Sequence, residues 1–149
     1  MPEPRIRKTA IIPDPDVLTI LYRDEYLVAI DKPAGLLVHR SDIDRHETRF
    51  AVQLLRDQIG RRVQPVHRLD KGTSGVLLFA FEADVTRQLS AQFENNDVHK
   101  TYLAVVRGWP EETGLIDHAL SRHRDQYGRT LPQAEAQAAV TRYRRIAIT

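Results

Sequence analysis

A carboxylate, Asp70, closes the string His67-Arg68-Leu69-Asp70 and opens the glycine-bearing bend Lys71-Gly72-Thr73-Ser74-Gly75, ahead of the apolar run Val76 to Phe81. A basic approach, a bend and a buried strand together put a carboxylate where a fold can hold a reactive group at the edge of a cleft. An Asp close to a glycine is also an ordinary turn residue whose side chain accepts a local backbone N–H. The bend alone does not decide between the two. Other chemistries are easier to exclude. The chain has no cysteine, which removes disulfides, thiolate metal sites and a thiol nucleophile. His39 with His46, and His118 with His123, lack the i, i+4 spacing with a partnering Glu that marks a zinc-binding helix, so no metal site is expected. Gly72-Thr73-Ser74-Gly75 has the G-x-x-G form of a KH RNA-binding loop, but that loop joins two helices and here a strand-like run follows. Nor is it the G-x-S-x-G of a hydrolase elbow.

Short elements must position these residues. Leu18–Tyr22 and Tyr26–Ile30 are β-rich runs parted by Arg23-Asp24-Glu25, the pattern of a hairpin. Pro33 and Gly35 turn the chain, and Leu36–His39 reads as a third short strand. Between Thr48 and Ile59 the apolar positions Phe50, Ala51, Leu54, Leu55 and Ile59 recur at helical spacing, with Thr48 as cap and Gly60 as stop. Val76–Phe81 is too short and too apolar for a surface helix and reads as a central strand. Val85, Leu89 and Phe93 step by four into a second helix that ends at Asn95-Asn96. Lys100–Arg107 reads as a strand stopped by Gly108, Ser121–Gln137 as a long polar loop, and Ala139–Ile148 as a last strand.

At 149 residues and 42% hydrophobic content, a single domain of this size buries about 68–70% of its unfolded surface. Residues 1–16 hold four of the eight prolines and read as an extended, mobile arm, leaving 17–149 as the domain. No apolar run reaches signal-peptide or membrane-span length, which reads as a cytoplasmic protein. The formal net charge is only +2, yet from Leu120 to Thr149 six arginines face Asp125 and Glu135. Such a basic stretch suits a phosphate backbone, and equally a solvated arginine face.

The string HRLDKGTSGVLLFAF, His67 to Phe81, resembles the catalytic motif of the RluA class of pseudouridine synthases, and its initial His, where a related class has Gly, favours that branch. Two further segments agree in order and spacing. Asp31-Lys32-Pro33-Ala34-Gly35-Leu36 is similar to the family's K-P-x-G-hydrophobic motif, and Lys100 to Gly108 to its K-x-Y-x-A-x-V-x-G strand. Within the family the chain most resembles the tRNA pseudouridine synthase C group, through Leu36–Ser41, Val52–Gly60 and Val106–Trp109. The fold this implies is α+β, a mixed, largely antiparallel sheet with flanking helices.

The resemblance implies that a uridine in RNA is isomerised. The N1–C1′ bond breaks, the base rotates and C5 takes its place, with no change of redox state and no group lost, so no cofactor is implied. Asp70 would be the catalytic carboxylate, attacking the sugar or base or supporting a sugar cation. The base must leave its stack, at a cost of roughly a few kcal/mol. Tyr102, the second catalytic position, would stack on the uracil and share in removing the C5 proton. Arg68 would enter the vacated stack or pair with phosphate, with His67, Thr73 and Lys32 as further substrate-binding positions. Against these stand plainer roles: Arg68 as an ion-pair partner that orients Asp70, and Tyr102 as a core aromatic.

The implied partner is tRNA, at uridine 65, with no membrane and no obligate protein partner. A cysteine-dependent RNA pyrimidine methylase is excluded. A ribosomal RNA synthase of the same family, or an inactive RNA-binding fragment, are the alternatives. The family's later G-R-x-H-Q-[IL]-R segment has no match before Thr149, so the domain is expected to be carboxyl-terminally incomplete, with activity in doubt for the same reason.

Overall fold

Residues with alternating side chains pair into an antiparallel hairpin, β1 (Thr19–Arg23) against β2 (Leu27–Lys32), in the computed structural model, which describes residues 14–40, 46–121 and 136–148. Asp24 closes the turn as an Asx residue does: its Oδ1 accepts the N–H of Tyr26 at 2.7 Å and of Leu27 at 2.8 Å. The amides of Leu27 and Tyr26 hold its carboxyl below the usual aspartate range. Two further strands, β3 (Gln64–Pro65) and β4 (Gly75–Ala80), complete a four-stranded sheet of order β1-β2-β4-β3, antiparallel throughout. β4 is interior, as its apolar run predicts. Pro65, which has no N–H to give a ladder, lies on the edge strand.

The two-residue period of the strands sends Val28 and Ile30 of β2 to the same buried face as Leu77 and Phe79 of β4. Helix α1 (Ala51–Ile59) adds Ala51 and Leu55, with Val52, Leu54 and Ile59 packed around them. Each such large apolar side chain contributes about 1.5–3 kcal/mol by leaving water. Gln58 joins α1 to the start of the sheet, its Oε1 accepting the Leu18 N–H at 2.8 Å and its Nε2 donating to the Leu18 carbonyl at 2.9 Å. Helix α2 (Ala83–Glu94) follows β4 and ends at Asn95, with Asn96 in the left-handed region at φ 60°.

Several expectations are corrected. Leu36–His39 is not a strand: Leu37 makes one isolated bridge to Phe50, and the carbonyls of Leu37 and Val38 accept the amides of Ala51 and Val52 at 2.8 and 3.1 Å. The first turn of a helix has donors without intrahelical partners, and here they take the carbonyls a strand would need. For the same reason Thr48 is not the cap; Phe50 holds that position with no side-chain bond, while Gly60 ends α1 at φ 64° as expected. The Lys100–Arg107 run forms no strand, because none of the described residues offers it a ladder, and Leu103 and Val105 are exposed. The expected loop Ser121–Gln137 lies mostly outside the described residues, as does most of the expected arm. At the arm's end, the Val17 amide closes a turn on the Asp14 carbonyl, and Arg49 pairs with Asp16 at 2.7 Å.

The described residues fall into two compact units that part between His99 and Lys100. The second contains β5 (Thr113–Asp117), which periodicity did not reveal, antiparallel to β6 (Val140–Arg144), the core of the expected last strand. Gly114 lies opposite Tyr143, and a Cβ there would meet the tyrosine ring at 2.5 Å, so glycine is what lets the ring cross the strand. No helix among the described residues is long and apolar enough to cross a membrane.

Candidate active site

The connection from β3 to β4 carries Asp70, and its backbone is held from several sides. Leu69 is buried in the core, so the next residue is turned outward, and Asp70 is exposed. The Asp70 carbonyl accepts the Thr73 N–H at 3.0 Å, closing a tight turn with Lys71 and Gly72 at its centre, where Asp is a favoured first residue. The carbonyl of Lys71 accepts the Gly35 N–H at 2.7 Å. Gly35 has φ 86°, a conformation L side chains rarely adopt, so the Pro33-Ala34-Gly35 turn presents that amide at little cost. Lys71 also forms an ion pair with Glu47 through its ammonium, both side chains partly buried.

Lys32 links these two turns. Strand alternation places it on the face of Val28 and Ile30, and it is 0% exposed. Its Nζ donates to the carbonyls of Leu36 at 2.8 Å, Pro33 at 3.0 Å and, more weakly, Lys71 at 3.4 Å. All three ammonium donors thus have acceptors. Burial pulls its pKa below the ordinary lysine value, and the negative charge of Asp70 opposes that shift. The sequence reading set Lys32 among the substrate-binding residues; here its ammonium is closed off from solvent and serves the turn that carries Asp70.

Lys32, His67, Arg68, Asp70 and Thr73 therefore belong to one constellation in the first unit. Arg68 is exposed, His67 and Thr73 half-buried. His67 stacks on Phe93 of α2, ring centroids 4.3 Å apart and 13° from parallel. Tyr102 lies in the second unit, in a stretch without regular structure, 59% exposed. It is not the core aromatic of the plainer reading. Glu47, Ser90 and Phe93 support the loop and were not singled out from sequence. Phe93 was visible only as an apolar helix position, and nothing local marks Glu47 or Ser90. Chemically, a solvent-facing carboxylate on a turn restrained by a buried ammonium and two backbone bonds can attack an electrophilic carbon or stabilise a cation with little reorganisation.

Comparison with known proteins points to one family and one fold. Residues 26–149 match the family model described as RNA pseudouridylate synthase. The chain is 50% identical over 133 residues to the tRNA pseudouridine synthase C of Vibrio cholerae, covering 88% of this chain and 54% of that protein. It is 54% identical over 128 residues to that of Pasteurella multocida, covering 85% and 53%. The chain thus spans about half the length of the relatives it matches. Among solved structures it resembles human RNA pseudouridylate synthase domain containing 4, with a TM-score of 0.55 and 28% identity over 85% of this chain and 52% of that one. It shares the fold of human RNA pseudouridylate synthase domain containing 1, with a TM-score of 0.64 and 23% identity over 85% and 51%. With the HRLD turn, the K-P-x-G turn and the interior strand in the arrangement described, the chain belongs to the RNA pseudouridylate synthase family.

Proposed function

We propose that this chain isomerises uridine to pseudouridine in tRNA, at uridine 65, in the cytoplasm. The observation that carries the reading is the exposed Asp70 on a turn whose backbone is fixed by Lys32 and Gly35. Asp70 attacks the sugar or base, or supports the sugar cation, as the N1–C1′ bond breaks; the base then turns and the C5–C1′ bond forms, with the C5 proton lost and N1 protonated. Atoms balance without an added group. Tyr102 stacks on the flipped uracil and assists that proton transfer, and Arg68, exposed two residues before Asp70, contacts the RNA the base has left.

The test is release of tritium from tRNA carrying 5-tritiated uridine, with mass spectrometry locating the product. The expected result is release by the wild-type chain at position 65 and none by Asp70→Asn, which keeps the size of the side chain and removes its charge, at a tRNA affinity within a few fold. Wild-type chain that releases nothing, or a variant that matches it, overturns the reading.

A further inference from the structure

We propose that His67 is a positioning residue for Asp70, its imidazole plugging the sheet at the point where the chain leaves it; this rests on the reading of Asp70 as the reactive carboxylate. β3 and β4 pair through Gln64 with Ala80 and Pro65 with Phe79. The next pair in register is Val66 with Leu78. In an antiparallel ladder such a pair exchanges two N–H···O bonds, and here one of them forms: the Val66 N–H donates to the Leu78 carbonyl at 3.1 Å. The reciprocal donor goes elsewhere. The Leu78 N–H is given to Nε2 of His67 at 3.2 Å, while the Val66 carbonyl accepts the hydroxyl of Ser90 at 2.9 Å. Side chains have replaced the second half of the pair.

The replacement opens the ladder without leaving a half-buried donor or acceptor unsatisfied, a loss that would weigh against the chain leaving the sheet. It also fixes the imidazole in two ways, through Nε2 and through the face of the ring. The ring nitrogen that accepts from Leu78 carries no proton, its face lies on Phe93, and Ser90 and Phe93, three apart on α2, share the helix face turned to the exit point. A Val66–Leu78 pair closed in the ordinary way would draw the following residues along β4 and away from the turn that holds Asp70. His67 thus fixes the upstream end of the segment that Lys32 and Gly35 fix downstream at Lys71.

Two substitutions separate acceptor from ring. His67→Phe keeps the stack on Phe93 and removes the acceptor; His67→Gln has an amide oxygen at nearly the reach of Nε2. Pseudouridine formation on tRNA gives kcat and KM, and amide hydrogen exchange by NMR follows Leu78 and Thr73, whose N–H closes the Asp70 turn. Since misplacement of a reacting group by ~1 Å can cost about 100-fold, His67→Phe is expected to lower kcat by about tenfold or more with KM within about twofold. Leu78 and Thr73 exchange faster in that variant, and His67→Gln restores both exchange and kcat most of the way. A rise in KM at unchanged kcat makes His67 an RNA contact and overturns the proposal, as do wild-type values in His67→Phe or no recovery in His67→Gln. If the wild-type chain turns nothing over, the proposed function fails, and Thr73 exchange alone decides: faster in the Phe variant and restored by Gln supports the inference, unchanged overturns it. If His67→Phe does not fold, Ser90→Ala takes its place. It frees the Val66 carbonyl to compete for Leu78, so faster Thr73 exchange supports the inference and no change overturns it.

Discussion

Lys32 occupies an inward position of β2 because Val28 and Ile30 precede it on the same face, and its ammonium reaches the strand's end, where the carbonyls of Pro33, Leu36 and Lys71 converge. A charge in that place costs desolvation and returns hydrogen bonds, so its net effect on global stability is small, whereas its effect on the turns it joins is direct. Lys32→Met relieves the buried charge but strips the Pro33 and Leu36 carbonyls of their donor, two effects of opposite sign. Its expected effect is a change of unfolding free energy below about 2 kcal/mol with a fall in pseudouridine yield of about tenfold or more. Urea unfolding and tritium release on the same preparation check the split. The pH dependence has a definite sign. Burial lowers the folded-state pKa from the ordinary 10.5, so between the lowered value and 10.5 the unfolded chain binds more protons, and stability rises with pH. Wild type therefore gains on Lys32→Met as pH climbs through that window. A difference that moves the other way would show that the three carbonyls and Asp70 outweigh burial.

Elements report how each segment finds its hydrogen-bond partners, and α1 depends on one such link. The Gln58 amide both donates to and accepts from the backbone of Leu18, itself buried at the start of the sheet. Gln58→Ala strands that N–H and C=O, and the expected loss is about 1–3 kcal/mol, read as a lower urea midpoint with unchanged slope. The same accounting explains what could be read in advance. The β1–β2 hairpin was legible because Asp24 supplies its own turn chemistry, and α2 because Val85, Leu89 and Phe93 step by four on one face. HRLD and K-P-x-G named the loop and the turn of the candidate site. Leu36–His39 misleads because its apolar residues are buried, as in a strand, while its carbonyls serve the amides of α1. No spacing announces that Val66 and Leu78 exchange only one bond, since the partners that complete it, His67 and Ser90, are 23 residues apart in sequence. Pairing over such distances is set by the folded chain.

At the scale of the whole molecule, the proposed tRNA substrate is a polyanion and the chain has a formal net charge of only +2. Locally clustered arginines would serve that substrate better than net charge does, since field and counterion release follow the local cluster. Within the basic stretch after Leu120, Arg142 and Arg144 are exposed on β6, two residues apart and hence on one face of the β5–β6 ribbon. Arg145 is different. Its amide donates to the Glu112 carbonyl and its Nη1 to the Pro110 carbonyl, each at 2.7 Å, so it ties the strand end to the segment before β5. These placements give the three arginines separate expectations. If each of these two arginines meets one phosphate of the proposed tRNA, replacing both by Gln is expected to flatten the slope of log affinity against log salt by about 1.8 on duplex segments, at about 0.9 per phosphate. Arg145→Gln leaves the slope nearer wild type and lowers the melting temperature instead. Fluorescence anisotropy with labelled tRNA from 50 to 200 mM salt, the span over which phosphate-driven binding falls by roughly 10³–10⁵ for six to ten contacts, resolves the difference. A double variant with the wild-type slope would remove this ribbon from the RNA-binding surface and leave Arg68 and the first unit to carry it.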